Sequence, residues 1–298
     1  MIRKLSELVT IAKDKSTQRL AVAAAGDEAV LSAVKNASTS NIVKPILVGD
    51  KKQIEAIAKS IDFDLSKIDI YDVADPAKAA QKAVSLVKQG EADVLMKGHV
   101  STGPLLKAVL DKENGLRKGG TLSHVAFIES PYYHKLLGVT DAAMNIAPEL
   151  SEKADIIRNA VDGFHRLGIE KPKVAVIGAV EVVNPKMSAT TDAAILSTMN
   201  RRGQIKGCEV DGPYAIDNAV SKEAAKHKGI HNPVAGDADI IMLPDINAGN
   251  VAYKTLNFLG GGLSAAVIMG AAVPIVLTSR ADSEESKLMS IALAAAME

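Results

Sequence analysis

Four stretches of this 298-residue chain hold side chains whose types and spacing could do chemistry. In the first, residues 97–104 read KGHVSTGP, so Lys97, His99, Ser101 and Thr102 share a glycine-bounded loop that runs into Pro104. Proline is preorganised for the first turn of a helix, and free backbone N–H groups there, joined by hydroxyls and an ammonium, can cradle an anion. A capped helix after a tight turn would use the same residues without any ligand. The spacing from Gly98 to Gly103 is that of a P-loop, but Pro104 and Leu105 stand where its Lys and Ser/Thr belong, which argues against ATP hydrolysis. In the second stretch, residues 278–285, Arg280 can grip a phosphate through two parallel hydrogen bonds and Ser279 can donate one to a developing negative charge. Asp282 and Glu285 there also have the spacing of a capping box, with which Arg280 could pair.

The third stretch, residues 243–254, carries Asp245, Asn247, Asn250 and Lys254, either as a turn of residues that tolerate positive φ or as a loop presenting donors to a ligand. In the fourth, Asp211 and Asp217 flank Gly212-Pro213, each a base or a cap.

Elements that could position these groups are written as short aliphatic runs: residues 20–25, 46–49, 68–71, 93–96, 125–128, 136–139, 174–177, 240–243 and 275–277. Apolar runs without polar alternation are what strands look like when both faces are covered, as in a parallel sheet between helices, so the class is α/β. In such a sheet the ligand crevice lies at the carboxyl ends of the strands, where the first three stretches fall. The intervening helices are signed. Asp75-Pro76 supplies cap and first-turn proline, Ala80, Ala83, Val84 and Val87 make one stripe, and Gly90 ends the helix. Leu5, Leu8, Val9 and Ala12 predict an amphipathic first helix rather than a signal peptide. Residues 260–279 approach the length of a membrane span, but three opening glycines, Gly270 and Pro274 predict a small-residue helix, a turn and a buried strand. No Asn-Gly hairpin signal stands between alternating runs, so crossover connections should dominate.

Composition excludes whole classes. Thirty-five Lys plus Arg balance 35 Asp plus Glu, which argues against a nucleic acid or an anionic membrane as partner. A single cysteine, Cys208, cannot form an internal disulfide or a thiolate zinc cage, and points to the reducing cytoplasm. It has no local activating base and reads as a buried, inert thiol. No G-x-G-x-x-G follows a strand and no G-x-S-x-G appears, while His227 and His231 read as solvated loop residues rather than zinc ligands.

Taken together, the stretches KGHVSTGPLLKAVL from Lys97, LGVTDAAMNIAPELSEKADIIRNAV from Leu137 and PKVAVIGAVEVVNPKMSATTDA from Pro172 resemble the phosphate acetyl/butyryl transferase family, most of all its butyryltransferase branch. VDGPYAIDNAVS from Val210, AGDADIIMLPDINAGNVAYK from Ala235 and VPIVLTSRADS from Val273 complete the set in family order. The resemblance implies two α/β domains with mainly parallel sheets flanked by helices, facing each other across a cleft as in isocitrate and isopropylmalate dehydrogenases. The implied division is residues 1–122 plus 275–298 against residues 123–274. It also implies transfer of a short acyl group between coenzyme A and inorganic phosphate, with coenzyme A as substrate, no tightly bound cofactor and no metal. The expected partners are acyl-CoA, acyl phosphate and phosphate, in a homodimer or larger homo-oligomer.

The family's catalytic serine and arginine fall on Ser279 and Arg280. Its cleft-lining loops fall on the stretch holding Lys97, His99, Ser101 and Thr102 and on the one holding Asp245, Asn247, Asn250 and Lys254. In the acetyl branch an aspartate follows the Ser-Arg pair by seven positions, where this chain has Ser286; Asp282 nearby is the candidate base. Lys107 stands where that branch has an arginine, keeping the charge but not the bidentate fork. The mechanism expected is direct attack of the coenzyme A thiolate on the acyl phosphate, with Ser279 on the oxyanion and Arg280 with Lys97 or Lys107 on the departing phosphate. A phosphate acetyltransferase is the nearest alternative. A metal-dependent NAD(P) oxidoreductase of related fold or a non-catalytic binder of acyl phosphates would be others.

Overall fold

The computed structural model describes residues 2–278 and 282–298. The chain begins with α1 (Ser6–Asp14), β1 (Gln18–Ala23), α2 (Glu28–Thr39), β2 (Val43–Gly49), α3 (Lys51–Ser60), β3 (Asp69–Asp72), α4 (Pro76–Lys88), β4 (Val94–Lys97) and α5 (Thr102–Val109). It continues with β5 (Ser123–Glu129), β6 (Leu137–Thr140), α6 (Leu150–Arg166), β7 (Lys173–Ile177), α7 (Ser188–Arg201), β8 (Glu209–Tyr214), α8 (Ile216–Val220) and α9 (Lys222–His227). Last come β9 (Ile240–Met242), α10 (Ile246–Phe258), β10 (Leu263–Met269), β11 (Ile275–Val276) and α11 (Glu284–Met297). Two compact units result, a first of residues 6–119 with 265–298 and a second of residues 1–5 with 120–264.

In the first unit the strand order is β3-β2-β1-β4-β11-β10, parallel from β3 through β11 and antiparallel only at β10–β11. Its inner strands are buried along nearly their whole length, as the unbroken aliphatic runs require, while β3 at the sheet end stays half-exposed. Each aliphatic side chain so enclosed, such as Leu20, Val22 or Leu95, contributes about 1.5–3 kcal/mol. Helix α4 forms as its sequence directs: the Asp75 carboxylate accepts the Lys78 N–H at 2.8 Å, Pro76 opens the helix, the stripe from Ala80 to Val87 is buried, and Gly90 beyond the end takes φ +72°. Helix α11 is buried at Ser286 and Lys287 and throughout Ser290 to Met297, packed against α1 and α2.

Two expectations need correction. The described residues 260–278 hold no helix: Leu263–Met269 is strand β10, and after Gly270 at φ +95° the chain returns antiparallel as β11. Alanine-rich apolar runs carry no period that separates a buried helix from a buried strand, and here the sheet supplies the partners. Of the stretch read as Asp211 and Asp217 about a Gly-Pro turn, residues 209–214 form β8, which pairs with β7 at the end of the sheet and shifts register between Ala175 and Ile177, and Asp217 lies in the first turn of α8. An edge position tolerates both the charges and the proline.

The second unit orders its strands β5-β6-β9-β7-β8, antiparallel at β5–β6 and parallel elsewhere. At the amino ends of β6, β9 and β7 a cluster of charges ties three neighbouring strands together. Lys135, 2% exposed, reaches Asp239 at 2.6 Å and the Asp237 carbonyl at 2.9 Å. Lys173 pairs with Asp237 at 2.5 Å and His134 with the same carboxylate at 2.9 Å, while the Lys173 N–H donates to Asp239 at 2.8 Å. Burial alone would raise the Asp237 carboxyl, but the hydrogen bond from Lys173 and the charges of Lys135 and Lys173 outweigh it and hold it at about 2. Among the described residues no helix is long and apolar enough to cross a membrane.

Candidate active site

Within the first unit the carboxyl ends of β1, β4 and β11 lie side by side, because β4 pairs in parallel with both of the others. The register sets Val276 opposite Met96, so two residues further on Thr278 comes beside Gly98. The Gly98 and His99 N–H groups donate to the Ala23 and Ala24 carbonyls at 2.8 and 2.6 Å, which fastens the start of the loop to the end of β1. Only glycine fits at position 98, since a Cβ there would stand 2.3 Å from the Ala24 oxygen. Ala24 itself takes φ +57°, a left-handed conformation that costs an alanine about 1 kcal/mol.

The ends of β4 and β11, the start of α2 and one residue of α11 line a cavity of about 150 Å³, in part through Asp27, Lys97, His99, Thr278 and Lys287. Pockets that hold drug-sized ligands run from about 300 to 1,000 Å³, so this one can seat only the reacting end of a larger substrate. Lys97 donates to the carbonyls of Gly98 and Val100 at 3.3 and 3.2 Å, and Lys287, 4% exposed, donates to the Asp282 carbonyl. The Asp27 carboxylate divides its oxygens: one accepts the Val30 N–H at 3.0 Å as the cap of α2, the other lies 3.5 Å from Nδ1 of His99. Two ammonium groups and an imidazole around a small cavity suit an anion, and the imidazole–carboxylate pair adds a group able to move a proton.

Of the residues predicted from the sequence, Lys97 and His99 line this cavity. Ser101 is the exposed N-cap of α5, and its side chain makes no capping bond; Thr102 opens that helix and Lys107 is exposed in its last turn. Ser279 and Arg280 lie outside the described residues, directly after Thr278. The capping box expected of Asp282 and Glu285 is replaced by Ser283, whose hydroxyl accepts the Ser286 N–H at 3.1 Å, so the first turn of α11 starts one residue later.

In the second unit, the stretch read as a turn or donor loop is the start of helix α10, with none of its residues at positive φ. Asp245 is the cap, accepting the N–H groups of Asn247 and Ala248 at 2.8 and 3.0 Å. Asn250 donates to the Ala142 carbonyl at 3.1 Å, Asn247 is exposed, and Lys254 lies 5.8 Å from the Phe258 ring centroid. The close fit of this helix start onto the loop after β6 explains Gly249, where a Cβ would stand 2.0 Å from the Asp141 oxygen.

Asp27 and Lys287 were not singled out from sequence. The one signal for Asp27 is its place after residues 20–25, at a strand's carboxyl end like Lys97; Lys287 carries none beyond standing one turn into the helix that follows Thr278. Cys208 is 6% exposed, and burial, with the nearby charge of Glu209, pushes its thiol up to about 11, the state of an inert side chain.

Comparison with known proteins matches the family described as "Phosphate acetyl/butaryl transferase" to residues 4–81 and 74–295. The "Phosphate butyryltransferase" of Clostridium beijerinckii is 52% identical over 295 residues, covering 99% of this chain and 98% of that protein. The "Phosphate acetyltransferase" of Thermotoga maritima is 50% identical over 291 residues, covering 98% of each. The crystal structure of a branched-chain phosphotransacylase from Enterococcus faecalis V583 superposes with a TM-score of 0.82 at 34% identity, covering 94% of this chain and 99% of that one. On a match that spans nearly its whole length, and with the strand-end loops in place, this chain belongs to the phosphate acetyl/butyryl transferase family.

Proposed function

We propose that this chain moves a short acyl group between coenzyme A and inorganic phosphate, with butyryl or a branched relative as the preferred group. The observation that carries this reading is the 52% identity with a phosphate butyryltransferase along almost the entire chain. The reaction proceeds by direct attack: the coenzyme A thiolate adds to the acyl phosphate carbonyl, Ser279 donates to the oxyanion, and Arg280 and Lys97 neutralise the departing phosphate. Lys107 and the side chains of Ser101 and Thr102 meet the phosphate-bearing parts of the substrates, and the start of α10, with Asp245, Asn247, Asn250 and Lys254, is the second substrate-facing segment. Coenzyme A is a substrate, and no resident cofactor is required. The cationic lining of the strand-end cavity supports an anionic ligand.

A second reading, transfer of acetyl, is favoured by the Thermotoga relative at 50% identity. Butyryl exceeds acetyl by two methylenes, worth only about 1.6 kcal/mol or roughly 15-fold when buried, so overall identity does not rank the two. We further propose a homodimer or larger assembly. On the second unit, the exposed side chains of Ile216, Val251, Phe258 and Leu259, near an apolar cavity of about 410 Å³, support that reading. The lone cysteine supports a cytoplasmic setting.

Thiol release from acetyl- through hexanoyl-CoA and the branched four- and five-carbon thioesters, with and without phosphate, tests the reading. Phosphate-dependent release fastest with four or five carbons is expected. Release fastest with acetyl would move the chain to the other branch, and no phosphate-dependent release would overturn the proposal.

A further inference from the structure

We propose that His99, oriented by Asp27, is the group that takes the proton from the coenzyme A thiol. The inference rests on the transferase reading above. A free thiol has its pKa near 8.5, so only a few per cent is thiolate at pH 7 and a base beside it accelerates attack. Among the described residues lining the strand-end cavity, two carry an acceptor for that proton, Asp27 and His99, since Lys97 and Lys287 are cations. Asp27 has one oxygen engaged at the Val30 N–H and the other turned toward His99, which leaves the imidazole as the acceptor facing the cavity.

Three features fit this task. The backbone at His99 is fixed, by its own 2.6 Å bond to the Ala24 carbonyl and by a glycine at 98 that the close approach to β1 demands. The ring is accessible, with 57% of the side chain exposed, and the Asp27 carboxylate lies 3.5 Å from Nδ1, a placement that favours the tautomer with its hydrogen on Nδ1 and its lone pair on Nε2. The cavity itself is too small for coenzyme A but large enough for a sulfur and the carbonyl it attacks. The charged groups around the ring are Asp27 on α2, Lys97 on β4, Lys287 on α11 and, across a smaller adjoining hollow, Asp50 at the start of α3.

The step balances without another reactant. Nε2 takes the thiol proton as the S–C bond forms at the acyl carbon; the bond from that carbon to the phosphate oxygen breaks, and the imidazolium returns the proton to the phosphate, which leaves as HPO₄²⁻. In the reverse direction His99 protonates the departing thiolate. Asp27 is a positioning residue, holding the ring and its tautomer.

The test follows thioester formation from butyryl phosphate and coenzyme A between pH 6.5 and 9 in the wild type and in the variants H99Q, D27N and D282N. Glutamine keeps much of the imidazole's size without a titrating nitrogen, and asparagine keeps the cap of α2 while removing the charge. At pH 7, H99Q is expected to be slower by about 100-fold or more, with the deficit narrowing about tenfold per unit as the thiol approaches its own pKa. Its KM for butyryl phosphate stays unchanged, which a merely structural or phosphate-binding role would not predict. D27N should show a smaller deficit with the same narrowing. The proposal is overturned by H99Q turning over within about threefold of wild type at pH 7, by a deficit equal at every pH, or by narrowing in D282N and not in H99Q. A wild type that forms no thioester overturns the transferase reading and this inference together, whereas an active wild type with unaffected His99 and Asp27 variants overturns this inference alone.

Discussion

The chain carries two dense clusters of charge, and they differ in everything except composition. At the amino ends of β6, β9 and β7 in the second unit, Lys135, Lys173, His134, Asp237 and Asp239 are joined at 2.5 to 3.3 Å, and Lys135 is closed off from solvent. At the carboxyl ends of β1, β4 and β11 in the first unit, Lys97, Lys287, His99 and Asp27 stand around a cavity, with His99 3.5 Å from Asp27. Each lysine of the first cluster has a carboxylate opposite it, which makes the cluster a fastening between strands. The lysines of the second cluster donate to backbone carbonyls and line a cavity that the end of a substrate can occupy. Lysines and carboxylates gathered in space therefore do not mark a site by themselves. The strand end they occupy, and whether they line a cavity or close a seam, decide it.

Breaking the fastening should give the largest change. Lys135→Met leaves Asp237 and Asp239 close together with one cation fewer, and removing one partner of a buried pair costs about 3–5 kcal/mol. A fall in melting temperature with the specific activity of the remaining folded enzyme intact is the expected result. Loss of activity at unchanged stability would erase the distinction between the clusters. The counterpart in the first unit is Ser279→Ala. Losing one oxyanion donor typically slows turnover about 100- to 1,000-fold, and here melting should scarcely move. Normal turnover in that variant would remove Ser279 from the chemistry.

The contrast was only half legible in the sequence. Each of the nine aliphatic runs overlaps a strand, eight of them because burial on both faces leaves no room for polar alternation, while β3 at the sheet end carries exposed Asp69 and Asp72. Strand β8 escaped because an edge strand can carry Glu209, Asp211 and Pro213, and β10 because alanine serves helix and strand alike. At the site, Lys97 and His99 were readable from their place after a run, and Thr278 for the same reason. Asp27 and Lys287 were not, since they join that group through the pairing order β1-β4-β11 and the packing of α11, contacts between residues up to 260 positions apart that no local spacing encodes. Asp245 and Asn250 show that such residue types also serve the scaffold, since one caps α10 and the other ties it to the Ala142 carbonyl.

The smallest expected effect sharpens the comparison through acid. The Asp237 carboxyl is held at about 2 against its ordinary 3.8, so the folded state binds a proton there more weakly than the unfolded chain does. Stability from this carboxylate is thus fully present above about pH 4 and is lost as pH falls through about 2, a change of about 2 kcal/mol. Asp237→Asn removes the titrating group, so its stability deficit relative to wild type should shrink by about that amount between pH 5 and pH 2, as read from urea unfolding at each pH. An unchanged deficit across that range would mean that the lysines do not hold the carboxylate charged, and the second cluster would then be an ordinary solvated patch rather than a fastening.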